Sequence, residues 1–126
     1  MSSSTSKKHI LVVEDDKIMN TVVQKKFQKA GFQTTGCNDG TEGLAMMKQN
    51  VYDGIILDLM MPVVDGFTVL KERNTTLNAA TPIFGLTALN EEKCKMARDL
   101  GAVKTFIKSK VALNDVVEEV KKDLGA

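Results

Sequence analysis

Five short apolar runs punctuate this chain, and a stretch of different periodicity follows each one. The first run is Ile10-Leu11-Val12-Val13, beginning at His9 and stopping at Glu14-Asp15-Asp16. The third is Ile55-Ile56-Leu57, which runs straight into the carboxylate of Asp58. Continuous aliphatic runs of this length are the mark of strands buried on both faces. Pro62 removes a backbone donor soon after Asp58, so that strand cannot continue. The fourth run, Ile83-Phe84-Gly85-Leu86, ends at Thr87, and the fifth, Val103 to Ile107, ends at Lys108. Between the first and the third lies the second, a Thr-rich segment from Phe32 to Cys37, whose composition suits an outer strand.

The intervening segments read as helices. From Lys17 to Ala30, Met19, Val22, Val23, Phe27 and Ala30 recur at three- and four-residue steps, and Gly31 ends the pattern. Asn38-Asp39-Gly40 reads as a turn before a helix over Thr41 to Gln49, with Leu44 and Met47 inward and Gly43 weakening it. Asp65 is placed to cap a helix from Gly66 to about Arg73 that buries Phe67 and Leu70. Residues 74 to 81 read as polar loop. Asn90 caps a helix through Leu100, and Gly101 stops it. The last helix runs from about Val111 to Leu124, with Leu113, Val116, Val117, Val120 and Leu124 on one face. Strict strand–helix alternation argues an α/β domain with a parallel sheet, helices on both faces and right-handed crossovers.

Length and composition narrow the function classes. The chain has 126 residues, enough for one domain with one sheet. A formal net charge of +1 gives no global attraction to nucleic acid or to an anionic membrane. No apolar run is long enough to span a bilayer. The polar start, Met1 to Lys8, lacks the apolar core of a secretory signal and reads as a disordered tail over 1–8, ahead of one domain over 9–126. Cys37 and Cys94 read as reduced thiols of a cytoplasmic protein. With two cysteines and only His9, a zinc site is not expected.

Parallel strands share a direction, so their carboxyl ends share one edge of the sheet. Four of those ends carry polar groups: Glu14-Asp15, Asp58, Thr87 and Lys108. Each has an ordinary reading alone. Glu14 to Asp16 could be a solvated loop and helix cap, Thr87 a strand-end hydroxyl, Lys108 a surface cation. Their joint placement is what those readings explain poorly. Clustered carboxylates call for a hard cation such as Mg²⁺. A lysine and a hydroxyl beside them suit a tetrahedral anion. Together they describe a carboxylate nucleophile for phosphoryl transfer.

The motifs Ile10 to Asp15, Leu57-Asp58-Leu59-Met60-Met61-Pro62 with Asp65-Gly66, Leu86-Thr87-Ala88 and Ile107-Lys108 make the chain resemble the receiver domains of two-component response regulators, the CheY family. The resemblance covers roughly Lys8 to Leu124. It implies a (βα)5 flavodoxin-like fold with strand order 2-1-3-4-5. It implies Asp58 as phosphoacceptor, with Asp15, Asp58, the Met60 backbone carbonyl and, through water, Glu14 holding Mg²⁺. Thr87 and Lys108 would contact the phosphoryl oxygens, while Asp16 reads as a helix cap.

The implied function is a signalling switch, not an enzyme beyond its own phosphorylation and dephosphorylation. It would be charged by a histidine kinase or histidine phosphotransfer protein and read by a partner at the face of the fourth helix, fifth strand and fifth helix, with no direct contact to nucleic acid or membrane. Two other classes compete. An aspartyl phosphatase commonly needs a carboxylate two residues beyond the nucleophile, where this chain has Met60. A flavodoxin-like cofactor binder needs phosphate-cradling loops, where this chain has acids.

The chain departs from the family pattern at two positions. Thr105 stands where receivers usually carry an aromatic, with Phe106 expected on the opposite side of the strand. The loop from Thr87 to Asn90 is therefore expected to carry the switch. Ser109 stands where proline usually follows the lysine, so a trans Lys108–Ser109 bond is expected, since cis costs about 2.5–4 kcal/mol without proline. Met60 and Leu89 would flank the path of attacking water and have no group to orient it, which implies a long-lived phosphoryl bond.

Overall fold

The computed structural model describes residues 7–126. Most of the expected tail, 1–6, lies outside the described residues. Within them, the Lys8 carbonyl already accepts the amide of Gln33.

Strands and helices alternate along the whole described chain. The order is β1 His9–Val13, α1 Lys17–Lys29, β2 Gln33–Cys37, α2 Gly40–Gln49, β3 Gly54–Leu57, α3 Gly66–Glu72, a 3₁₀ turn Arg73–Thr75, β4 Ile83–Thr87, α4 Glu91–Asp99, β5 Lys104–Ile107 and α5 Leu113–Asp123. All four strand pairings are parallel, in the order β2-β1-β3-β4-β5. This is the flavodoxin-like (βα)5 arrangement that the motifs implied. Every residue of β3 and β4 is buried, as the continuous apolar runs required, while β2 and β5 form the partly exposed edges.

The period-2 geometry of the strands sends alternate side chains into two cores. Ile10, Val12, Ile56, Phe84 and Leu86 pack with Val23 and Phe27 of α1 and Val116, Val117 and Val120 of α5. Leu11, Val13, Ile55, Leu57 and Ile83 pack on the other face with Leu44 and Met47 of α2, Val69 and Leu70 of α3 and Ala97 of α4. Phe106 belongs to the first core, opposite the α4 side, as its strand position predicted.

Four helices begin at side-chain caps. Asp16, Asp39, Asp65 and Asn90 each accept the amide three residues on, from Met19, Glu42, Thr68 and Lys93. Each such cap is worth about 1 kcal/mol. The structure corrects several details of the sequence reading. Asp39 is a cap and Gly40 already helical, not a free turn. On α1 the inward positions are Asn20, Val23 and Phe27, and Val22 is 38% exposed. Val69 is buried in α3 where Phe67 was expected, and Phe67 is half-buried. The segment 74–81 is polar but anchored, because the Asn78 side chain is fully buried.

Candidate functional site

Parallel register brings the predicted groups to one edge. The amide of Asp58 donates to the Val13 carbonyl at 2.9 Å, which locks the end of β3 to the end of β1. The Glu14 amide donates to Cys37 at 3.1 Å, tying β1 to β2 in the same way. At the other side, the Lys108 amide donates to Thr87 at 2.7 Å. The backbone ladder therefore continues one residue past β1, β3 and β5 and fixes the first polar residue after each.

Glu14, Asp15 and Asp58 come together at this edge, each offering an oxygen within 4.8 Å of the others. Glu14 and Asp58 are buried and Asp15 is exposed. Lys108 reaches in from the end of β5. Its Nζ lies 2.7 Å from Glu14 Oε1 and 3.6 Å from Asp58 Oδ2. Asp58 Oδ1 accepts the Met60 amide at 3.1 Å. Thr87 is fully buried, and its hydroxyl oxygen accepts the Leu89 amide at 3.1 Å. All predicted side chains thus lie at one edge. Asp16 stands apart as the α1 cap, with its amide donating to Glu14 Oε2.

The electrostatics are unbalanced. Burial and the neighbouring Glu14 charge push the Asp58 carboxyl up to about 7, against the opposing pull of the Met60 amide and Lys108. Burial alone would depress Lys108. The Glu14 hydrogen bond and the Asp58 charge outweigh it and hold the lysine above its usual value. Three carboxylates face one ammonium. An edge built this way favours a proton or a further cation.

The loop after Asp58 is tightly held. The Gly66 amide donates to Leu59 at 3.1 Å, and a Cβ at Gly66 would fall 2.5 Å from the Asp58 carbonyl oxygen. Within the loop, Val63 adopts φ 67° and is fully exposed, in a three-residue turn closed by Val64 N–H to the Pro62 carbonyl. A β-branched residue is strained there. The described chain has no cis peptide bond, so Lys108–Ser109 is trans as expected.

The sequence reading missed two contributors. The amides of Asn20 and Asn38 both donate to the Glu14 carbonyl, at 3.1 and 3.2 Å. Asn20 was visible as a polar residue at the i−3 and i−7 positions from Val23 and Phe27. Thr105, already marked in the sequence, gains a partner that the sequence does not show. Its hydroxyl accepts from Arg98 at 2.6 Å, and Arg98 also pairs with Glu91 at 2.5 Å, so residue 105 is tied to α4 by a hydrogen bond.

Fold and edge chemistry together define a parallel α/β domain with an acid–lysine–hydroxyl site. The model of the response regulator receiver domain matches residues 10–121, and the chain belongs to that family, the phosphorylation-dependent switches of two-component signalling. It is 38% identical over 88 residues to the DNA-binding dual master transcriptional regulator RpaA of Synechocystis, covering 69% of this chain and 36% of RpaA. It is 32% identical over 88 residues to the transcriptional activator PfeR of Pseudomonas aeruginosa, covering 70% of this chain and 28% of PfeR. This chain spans about a third of the length of these relatives. Among solved structures, the Francisella response regulator 1452 receiver domain superposes with a TM-score of 0.85 at 30% identity, covering 94% of this chain and 98% of that one. The receiver domain of a Pseudomonas aeruginosa sensor histidine kinase, which holds a magnesium ion in its active-site cleft, superposes with a TM-score of 0.83 at 24% identity, covering 96% of this chain and all of that one. No helix of the described residues is long and apolar enough to cross a membrane.

Proposed function

We propose that Asp58 accepts a phosphoryl group from a phosphohistidine of a histidine kinase or phosphotransfer protein, and that Glu14, Asp15, Asp58 and the Met60 carbonyl hold Mg²⁺ beside it. The observation that carries this reading is the buried Asp58 carboxylate, clustered with Glu14 and Asp15 and with Lys108 Nζ 3.6 Å away. The donor set fits the ion: clustered carboxylate oxygens, one of them open to water, are hard ligands with room for retained waters. Mg²⁺, when bound, neutralises charge on the acids and on phosphoryl oxygens.

The chain's own residues supply the rest. Asp58 attacks as the carboxylate; its new P–O bond forms as the donor's P–N bond breaks, and the freed imidazole leaves with its electron pair. Lys108 already lies 3.6 Å from the attacking carboxylate and needs only to turn from Glu14 toward the new oxygens. The Thr87 hydroxyl keeps its proton available for a phosphoryl oxygen while accepting the Leu89 amide. The Thr87 to Asn90 loop leads directly into α4, so a shift there alters the α4-β5-α5 face that a downstream partner reads. The chain promotes its own phosphorylation and dephosphorylation and acts on no other substrate.

Incubation with acetyl phosphate and Mg²⁺ should add one phosphoryl group, read by intact mass. Asp58→Asn should abolish the adduct. An undiminished adduct on that variant moves the acceptor elsewhere.

A further inference from the structure

The inner face of α1 carries a polar residue in line with its apolar ones. Asn20 is 3% exposed and shares its face with Val23 and Phe27. Its Nδ2 lies 2.8 Å from the Cys37 carbonyl oxygen, 3.1 Å from that of Glu14 and 3.4 Å from that of Val12. An amide nitrogen has two protons, so the two shorter contacts take them. Cys37 ends β2, and the Glu14 carbonyl belongs to the peptide that joins Glu14 to Asp15. Asn38 Nδ2 donates to that same carbonyl at 3.2 Å. The peptide between the two acids is therefore gripped by two side-chain amides.

The Asn20 amide is itself oriented. Its Oδ1 accepts Gln24 Nε2 at 2.6 Å. Gln24 Oε1 accepts the Thr34 hydroxyl at 2.9 Å, and Thr34 Oγ1 accepts Gln28 Nε2 at 2.7 Å. Residues 20, 24 and 28 stack one turn apart on α1. This column fits because β2 has no side chain at position 36: a Cβ at Gly36 would lie 2.5 Å from Asn20 Oδ1 and 2.1 Å from Gln24 Nε2. A buried asparagine often serves stability alone. Here its acceptors are the strand end beside the acid cluster and the peptide between two of its members.

We infer that Asn20 is a positioning residue that sets the direction of the Glu14 and Asp15 carboxylates and thereby the cluster's affinity for a divalent cation. This rests on the reading of the cluster as a Mg²⁺ site. The test uses the whole chain, with Mg²⁺ titrated against amide NMR shifts. Asn20→Leu keeps the size and removes the donors; its Mg²⁺ affinity should fall about 10-fold. Gln24→Ala removes only the orienting bond and should lower the affinity by a smaller factor. In acetyl phosphate reactions the Mg²⁺ concentration at half-maximal rate should rise by the same factors, with the rate at saturating Mg²⁺ retained. A role in stability alone would not produce that split. A folded Asn20→Leu protein with wild-type affinity, or one whose saturated rate falls at unchanged Mg²⁺ dependence, overturns the inference. If Asn20→Leu does not fold, Gln24→Ala decides, and unchanged affinity there overturns it. Failure of the wild-type chain to bind Mg²⁺ removes the metal reading and this role together.

Discussion

The two ends of the sheet both bury polar side chains, and they do so in opposite ways. At the amino-terminal end, Asn78 is fully buried with every capacity filled. Its Oδ1 accepts the Tyr52 amide and the Thr81 hydroxyl, both at 2.9 Å, and its Nδ2 donates to the carbonyls of Met47 and Asn50, both at 2.7 Å. Arg73 adds bonds from its guanidinium to the carbonyls of Gly101, Asn78 and Thr81, although its buried Nε has no partner among the described residues. At the carboxyl end, three carboxylates cluster and one ammonium reaches only two of them, Glu14 and Asp58. A satisfied network rigidifies the structure around it, while an unbalanced one raises its energy until a further charge arrives. One end staples the fold and the other keeps a site ready.

Breaking the staple should have the largest effect. Asn78→Ala leaves the Tyr52 amide and the Asn50 carbonyl without their partner and takes one of two donors from the Met47 carbonyl, and should cost about 3 kcal/mol in urea unfolding. A loss below about 1 kcal/mol would mean that water replaces the side chain and that the two ends differ less than argued.

At the other end the sign should reverse. The Asp58 carboxyl is raised from an ordinary 3.8 to about 7, so the native state binds its proton more tightly than the unfolded chain does. Its contribution is fully present below the ordinary value and lost as pH rises through about 7. Metal-free protein should therefore lose stability between about pH 4 and pH 7. Asp58→Asn should flatten that slope and gain about 1–2 kcal/mol at pH 8, a figure reduced for the solvent opening at Asp15. Denaturation of both proteins across pH without metal checks this; a destabilised variant would contradict the contrast.

A smaller gain is expected in the loop beside Asp58. Val63→Gly should relieve the strain at φ 67° and raise the unfolding free energy by about 1 kcal/mol. A loss instead would mean that the Val63 turn is held without strain. The smallest effect belongs to the flank. Thr105→Val removes the hydroxyl under Arg98 and should change stability by about 0.5 kcal/mol or less, since the Arg98–Glu91 pair is exposed. Beryllofluoride with Mg²⁺ should still shift the Thr87 to Asn90 amides in this variant. Loss of that response would make the Thr105 hydroxyl a working part of the switch.

What could be read from the residues divides along the same line. Asp58, Thr87 and Lys108 stood out because a buried strand is a continuous apolar run and its first polar residue marks its end. Parallel order then places such ends together without any knowledge of contacts. Asp16, Asp65 and Asn90 were legible as caps because capping is local, spanning three residues. Asn78 and Arg73 were not legible. Their partners lie as far as 31 residues away in sequence, and nothing in a polar loop says which amide will be buried. Asn20 lies between these cases: its spacing from Val23 marked an inward position, but only the fold reveals the carbonyls it meets. Thr105 was legible as a missing aromatic, but not its bond to Arg98, which reaches it from a neighbouring helix.

The close approach of Gly66 to the Asp58 carbonyl has a consequence for anyone scanning this chain by saturation mutagenesis. In a library selected for signalling, position 66 should appear as intolerant as position 58, although it carries no functional group. Any side chain there meets backbone, at 2.5 Å from the Asp58 oxygen and 2.7 Å from Leu59 Cα, and neither atom can step aside as a flexible side chain would. A second selection that scores only soluble expression should separate them. Position 58 should then accept substitution freely, and position 66 should stay closed.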